Sequence, residues 1–171
     1  MGRPPDLPAP TPQTRAARRV GQLTIGPADA ADHPALIELW EAAVRATHAF
    51  LGEADIAAIR QALRTDYLPA VSLLAARDGH GRLLGFAGTA GDMLEMLFVA
   101  PDRHGHGIGG QLLRHVVAER GIRRVDVNEQ NPTATAFYLA HGFRQNGRSA
   151  TDGAGRPFPL LHLQLAGDAT P

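Results

Sequence analysis

The most informative segment of this sequence is Leu94–Gly110, which reads LEMLFVAPDRHGHGIGG. An apolar strand runs into a Pro-Asp turn, and four glycines within six residues then lead into an amphipathic helix. Glycines allow the main chain to turn sharply and expose its N–H groups, and the start of a helix adds unpaired donors and the positive end of its dipole. The segment therefore predicts an anion site, for which a pyrophosphate is the natural occupant.

The same glycines also match a dinucleotide-binding fingerprint, Gly105-x-Gly107-x-x-Gly110, with Asp126 about where a ribose-binding acid would lie. Against that interpretation, five residues (100–104) separate the predicted strand from the first glycine, and Asp126 falls inside a predicted strand rather than at its end. One short helix and two strands follow, which are too few βα units for a doubly wound sheet. A nicotinamide-dependent oxidoreductase is therefore a less favoured alternative.

Hydrophobic periodicity and turn residues predict the order β-α-α-β-β-β-α-β-α-β-β. Asp32 is expected to cap the first helix, and Pro69 to end the second. Antiparallel meanders combined with one parallel β-α-β crossover predict an α+β (mixed α/β) fold. The predicted strands are 22–26, 72–76, 83–89, 93–99, 123–127, 143–150 and 158–165, and the last two helices are 109–120 and 132–141.

A second motif follows the glycine cluster. Asn131 with Pro132 next to it is a strong helix start, and Gly142 is placed to end that helix. Phe137 is most simply a core residue, whereas Tyr138, near the end of the helix, can also donate a proton.

Composition excludes several classes of protein. The chain has no cysteine, so a disulfide scaffold, a Cys nucleophile and a Cys-ligated metal are ruled out. Its 17 basic residues, all arginine, balance 17 acidic ones, which argues against nucleic-acid binding. No apolar run approaches the roughly 18 residues that span a bilayer. We expect a flexible, proline-rich tail (1–20), a single domain (21–167) and a cytoplasmic location.

Taken together, the two motifs resemble those of the GNAT N-acetyltransferases. Leu94–Gly110 is similar to the acetyl-CoA motif R/Q-x-x-G-x-G/A, and Asn131…Phe137-Tyr138…Gly142-Phe143 resembles the N…FY…GF segment that follows it. The resemblance extends from about Gln22 to Leu165, and further segments of the chain are similar to bacterial YjaB-type members. His104 stands where the motif has Arg or Gln, which leaves phosphate binding to backbone N–H groups and to Arg103.

The resemblance implies a mostly antiparallel central sheet with helices on both faces, and an acetyl-CoA-dependent transfer to a primary amine by direct attack. It implies Tyr138 as the general acid and Glu95 as a candidate base, with Glu95 and His48 as candidate acceptor contacts and no metal. The N–H near Val99 would polarise the thioester carbonyl, a contribution of about 3 kcal/mol. The implied cofactor-binding residues are Leu97, Phe98, Val99, Arg103, His104, Gly105, His106, Gly107, Ile108, Gly109, Gly110, Asn131, Phe137 and Tyr138.

The acceptor is left open by the sequence. The expected partner is a small-molecule or peptide amine, with no nucleic acid or membrane involved, and the protein is expected to be a monomer or homodimer. A non-catalytic acyl-CoA-binding module is the alternative from another class, and the presence of Tyr138 weighs against it.

Overall fold

The computed structural model describes residues 22–167, and the expected N-terminal tail lies outside them. Within that range the order of strands and helices is the predicted one. The helices are α1 (His33–Thr47), α2 (Glu53–Ala62, continued by a π-helical turn over Leu63–Tyr67), α3 (Ile108–Arg120) and α4 (Pro132–Ala140). The strands are β1 (Thr24–Pro27), β2 (Ser72–Arg77), β3 (Leu83–Ala90), β4 (Met93–Val99), β5 (Arg124–Asn128), β6 (Phe143–Ser149) and β7 (Leu160–Leu165).

The seven strands form one sheet in the order β1-β2-β3-β4-β5-β7-β6. β4 and β5 are parallel and are joined by α3, whereas the other neighbouring pairs are antiparallel. This confirms the α+β prediction with its single crossover. The doubly wound alternative is wrong. Asp126 lies in the middle of β5, and only one pair of the described strands is parallel, whereas a dinucleotide crevice is formed by a mostly parallel sheet.

The sheet carries a hydrophobic cluster on each face, which explains why the helices are amphipathic. On one face α1 buries residues such as Leu36 and Trp40 against Phe86 and Met96. On the other face α3 and α4 pack over a cluster that includes Leu94, Leu112 and Val127. α1 covers one face of the sheet over β2–β4. Over β5, β7 and β6 the same face is open, and side chains such as Asp126 are exposed there.

Asp32 does not cap α1 with its side chain as expected. Its carboxylate instead accepts a hydrogen bond from the N–H of Asp29 (3.0 Å) and pairs with the guanidinium of Arg77 (2.6 Å). The carboxylate therefore ties the entry of α1 to the end of β2. The prediction was wrong because the partner on β2 is distant in sequence.

Candidate functional site

The site begins where β4 and β5 separate. Their parallel ladder holds only at Met93↔Arg124 and Leu94↔Val125, after which β5 continues to pair with β7 alone. The rest of β4, as far as Val99, stays paired with β3 on its other edge. Main-chain groups of β4 that point toward β5 are therefore open to a ligand. We call the space between the two strands the β4–β5 cleft.

A bulge in β4 turns Glu95 toward this cleft. Gly88 of β3 pairs with Met96 and Thr89 pairs with Leu94, so Glu95 is the extra residue between them. The bulge places Leu94 and Met96 in different hydrophobic clusters although they are two residues apart. Bulges that re-aim a side chain are common beside active sites, and here the glutamate lines the cleft.

The glycine cluster forms a cradle over Gly105–Gly110 at the mouth of the cleft. Gly105 and Gly107 both have a φ of +78°, a conformation that other residues adopt at a cost. Gly107 is the N-cap of α3 and provides no side-chain cap, so the first N–H groups of the helix are left for another acceptor. The 13-residue helix points its positive dipole end at the same place.

Arg103 supplies an independent indication that an anion belongs at the cradle. Its Nε is buried and lacks a hydrogen-bond partner among the described residues, the nearest carboxylate oxygen, of Asp102, being 3.9 Å away. A buried donor without a partner costs about 1–3 kcal/mol, and Arg103 lines the cleft beside Gly105. A diphosphate at the cradle would supply an acceptor, so the residues present fit the acidic part of acetyl-CoA.

The two histidines of the motif have different surroundings. The Nε2 of His104 is 2.9 Å from the carbonyl oxygen of Val99, so the imidazole bonds the main chain of β4. His106 is exposed, and its Nδ1 lies 3.0 Å from the carbonyl of His104. Of the residues predicted to bind the cofactor, His106 is the one that does not line the cleft.

Tyr138 reaches the cleft from a buried position on α4. The helix begins at Asn131, whose Oδ1 accepts a hydrogen bond from the N–H of Ala134 at 3.1 Å. Edge-on contacts with Phe137 and Phe143, at centroid distances of 5.0 and 5.7 Å, hold the phenol ring. Burial raises the pKa of the Tyr138 hydroxyl, so the group is protonated at neutral pH.

The cleft has a volume of about 590 Å³ and extends from the cradle to α1. At the α1 end, His48 contacts Phe50, which in turn contacts Phe158 of the segment before β7, at centroid distances of 5.3 and 5.7 Å. The Thr47 hydroxyl donates to the carbonyl of Ala43 and therefore accepts from the Nδ1 of His48. Burial lowers the pKa of His48, which favours a neutral ring with an unprotonated Nε2.

The cleft is electrostatically polarised. Arg103 and the helix dipole of α3 lie at the cradle end, whereas Glu95 and Asp126 line the part farther along the sheet, which we call the acceptor end. Although Glu95 is exposed, partial burial in the cleft raises its pKa, and the charge of Asp126 raises it further against an opposing effect of Arg124. A group with raised proton affinity is suited to take a proton from an ammonium ion.

Several lining residues were missed by the sequence reasoning. Asp126 was considered only as a ribose ligand, and Asn128, Thr133 and Ala134 were not singled out, although all line the cleft. Alternation along β5 places Asp126 and Asn128 opposite the buried Val125 and Val127. That signal could have identified the polar face of β5, but not that this face borders the cleft.

Two further features concern metals and membranes. Among residues 22–167, no cluster of three or more His, Cys, Asp or Glu side chains has the arrangement of a metal site. No helix in the same range combines the length and apolar character needed to cross a bilayer.

Comparisons with known proteins agree with the geometry. Residues 69–145 match the acetyltransferase (GNAT) domain family. Peptidyl-lysine N-acetyltransferase YjaB of Salmonella typhimurium is 39% identical over 128 residues, which cover 75% of this chain and 88% of the relative. The solution structure of apo YjaB from Escherichia coli superposes with a TM-score of 0.78 at 32% identity, over 85% of this chain and 99% of that one. PaiA N-acetyltransferase from Thermoplasma acidophilum, in complex with coenzyme A, shares the fold (TM-score 0.67, 23% identity, 85% and 99% covered).

Proposed function

The chain belongs to the GNAT acetyltransferase family and is an acetyl-CoA-dependent N-acetyltransferase, and from this premise we propose that its acceptor is the side-chain amine of a lysine in a peptide or protein. The similar YjaB proteins are named peptidyl-lysine N-acetyltransferases. A lysine side chain is long and thin enough to enter a narrow cleft, and its cationic amine suits a carboxylate-lined end.

The observation that carries the proposal is the polarity of the β4–β5 cleft. Donors and the Arg103 guanidinium face one end, which suits the diphosphate of the cofactor. Glu95 and Asp126 face the acceptor end, where they attract a lysine ammonium ion. An anionic acceptor would be repelled by two carboxylates. The arrangement thus favours a cofactor and an acceptor that enter from opposite ends.

The cofactor would be held mainly by backbone groups. The N–H groups of Gly105–Gly110 and the start of α3 bind the diphosphate, and Arg103 adds a charged contact. The open edge of Leu97, Phe98 and Val99 pairs with the pantetheine arm as an added strand. His104 braces this edge through the carbonyl of Val99. Asn131 and Phe137 shape the wall from which Tyr138 projects.

The reaction needs one proton removed from the acceptor and one supplied to the leaving sulfur. When bound, acetyl-CoA supplies the activated acetyl group. Glu95 accepts the ammonium proton, directly or through water, so that the amine can attack. Tyr138 donates its hydroxyl proton to the sulfur as the carbon–sulfur bond breaks. Direct attack by the amine fits a chain without cysteine, in which no acyl-cysteine can form.

The extent and setting of the enzyme belong to the same proposal. We take residues 21–167 as one catalytic domain, since both hydrophobic clusters pack on the two faces of a single sheet. The cytoplasm of a bacterium is its proposed location, in keeping with its bacterial relatives and with the presence of acetyl-CoA inside cells. A monomer or homodimer is the proposed state.

The acceptor assignment is tested with peptides that differ at one side chain. We expect acetylation of a lysine-containing peptide with a blocked N-terminus, and none of the matched peptide with norleucine in place of lysine. Mass spectrometry locates the acetyl group. Because this chain contains no lysine, acetyl-lysine detected in the mixture comes from the substrate alone.

A preference for free small amines over every lysine peptide in a broad panel would contradict the proposed acceptor. The same panel includes spermidine, free amino acids and peptides with unblocked N-termini. Release of coenzyme A with one of these and with no lysine peptide would preserve the acetyltransferase activity and reassign the substrate class.

Glu95→Gln is expected to lower kcat/KM by about 10²-fold or more and to remove the acidic limb set by the ionisation of Glu95, so that the rate follows only the fraction of neutral acceptor amine, because the base is lost. The base acts only when ionised, and its raised pKa means that wild-type activity falls with decreasing pH earlier than an ordinary carboxyl group would require. Initial rates between pH 5 and 9 measure both effects. A variant profile that keeps the wild-type acidic limb would assign the base to another group.

A further inference from the structure

Three polar side chains form a hydrogen-bonded line across the last three strands of the sheet. Asp126 of β5 lies opposite His162 of β7, and its Oδ1 is 2.6 Å from the Nδ1 of the histidine. The second ring nitrogen, Nε2, is 2.7 Å from the Oγ of Ser149 on β6. Both nitrogens of the imidazole are therefore engaged, and its orientation is fixed.

The backbone beneath the ring is adapted to this arrangement. Gly147 of β6 is the register partner of His162. A Cβ at Gly147 would lie 3.2 Å from the Cδ2 of His162, which is tighter than an ordinary contact. Glycine at this position therefore lets the imidazole lie over β6 and reach Ser149.

The line of side chains is connected to the cleft at one end only. Asp126 lines the cleft with Glu95, whereas His162 and Ser149 are not among the lining residues. The imidazole and the hydroxyl therefore contact the cleft only by way of the carboxylate of Asp126. Because both are about one-third exposed, Asp126 and His162 remain accessible to protons from solvent.

We propose that His162 is a positioning residue of the transferase, which, held by Ser149, orients the Asp126 carboxylate beside Glu95 and offsets part of its charge through the hydrogen bond from Nδ1. The proposal rests on the role of Glu95 as the base. It gives a role to Asp126, His162 and Ser149, none of which is needed to bind the cofactor.

The other charged groups near Glu95 do not adjust the charge beside it in the way proposed for Asp126 and His162. Arg124 is held by Asp92, with contacts of 2.6–3.1 Å, and keeps its charge at every relevant pH. His48 faces the cleft from α1, and its burial favours the neutral ring. Asp126 is thus the neighbour of Glu95 whose charge is compensated by a side chain outside the cleft, His162.

The signs of the expected effects follow from the charges. A negative neighbour disfavours ionisation of Glu95, so Asp126→Asn should move the acidic limb of the kcat/KM profile to lower pH by about 0.5–1 unit. The hydrogen bond from the Nδ1 of His162 draws negative charge of the Asp126 carboxylate toward the imidazole and so compensates part of its effect on Glu95. His162→Asn removes this compensation, so the limb should move to higher pH.

The double variant distinguishes action through Asp126 from a direct effect. In the Asp126→Asn background, His162→Asn should cause no further displacement of the limb. Ser149→Ala should reproduce part of the His162→Asn displacement, and Ser149→Thr, which keeps the hydroxyl, should restore the wild-type profile. His80→Asn, at an exposed turn, is the matched control for loss of a histidine and should leave the profile unchanged.

Displacement of the limb in the same direction by both single variants, or by neither, would overturn the proposal and leave the three side chains a structural role. Acetylation of Ser149 after mixing with acetyl-CoA, detected by peptide mass spectrometry, would also overturn it, because the serine would then be a nucleophile. Glu95→Gln distinguishes failure of the base assignment from failure of the positioning role. If this variant keeps the wild-type acidic limb of the kcat/KM profile, the base is misassigned. If the limb is lost but His162→Asn does not displace it in the otherwise wild-type enzyme, only the positioning role is rejected.

Discussion

Tyr138→Phe is expected to lower kcat by about 10²–10⁴-fold, the range in which general acids contribute, with the affinity for coenzyme A unchanged. The substitution removes the hydroxyl proton but keeps the ring that packs between Phe137 and Phe143. The leaving thiolate must then take its proton from water. Stopped-time assays of thiol release give kcat, and calorimetric titration with coenzyme A gives the affinity.

The chain has two tyrosines, and the other provides the control. Tyr67 is exposed (37%) in the π-helical turn that follows α2, so Tyr67→Phe should leave kcat unchanged. Because burial raises the pKa of Tyr138, wild-type activity should also persist to alkaline pH without a decrease from ionisation of this group. An unaltered kcat in Tyr138→Phe would show that the proton comes from elsewhere.

Gly107→Val is expected to weaken binding of coenzyme A by about 10- to 100-fold, in line with the 1–3 kcal/mol cost of a non-glycine residue held at positive φ. Gly107 has a φ of +78° and begins α3. A β-branched residue there would favour another backbone conformation and turn the first N–H groups of the helix away from the diphosphate. Calorimetric titration with coenzyme A measures the loss.

Gly81→Val is the matched control for this substitution. Gly81 has nearly the same φ, +80°, with no atom within 4 Å of an added Cβ, but it lies in the turn between β2 and β3. The two variants should lose similar free energy of unfolding in thermal denaturation, whereas only Gly107→Val should lose affinity. Equal affinities in the two variants would mean that the cradle does not bind the cofactor through its backbone.

Local sequence signals predicted the fold well. β4 has the predicted boundaries, Met93–Val99, and α3 begins one residue earlier than expected, at Ile108. β7 begins at Leu160 rather than at residue 158, because Phe158 packs against Phe50 before the strand starts. Periodicity locates apolar segments reliably, whereas the ends of strands depend on contacts that are distant in the sequence.

The candidate site was only partly predictable. The cradle and Tyr138 were identified because each belongs to a short motif with its own backbone requirement. Glu95 was a candidate by resemblance, but its direction depends on a bulge defined by pairing with Gly88 and Thr89. The contact between His48 and Phe50, and from there to Phe158, joins segments more than a hundred residues apart and has no sequence signature.

The sequence by itself determined the order of the elements and the glycine turn that begins α3. Glycines at positive φ, an asparagine N-cap and periodic apolar residues act over a few neighbouring positions, so they can be recognised without the fold. Only the tertiary structure decided which carboxylates share the cleft and how Asp126 meets His162, 36 residues away. Strand register sets those distances, and register results from packing of the whole sheet against its helices.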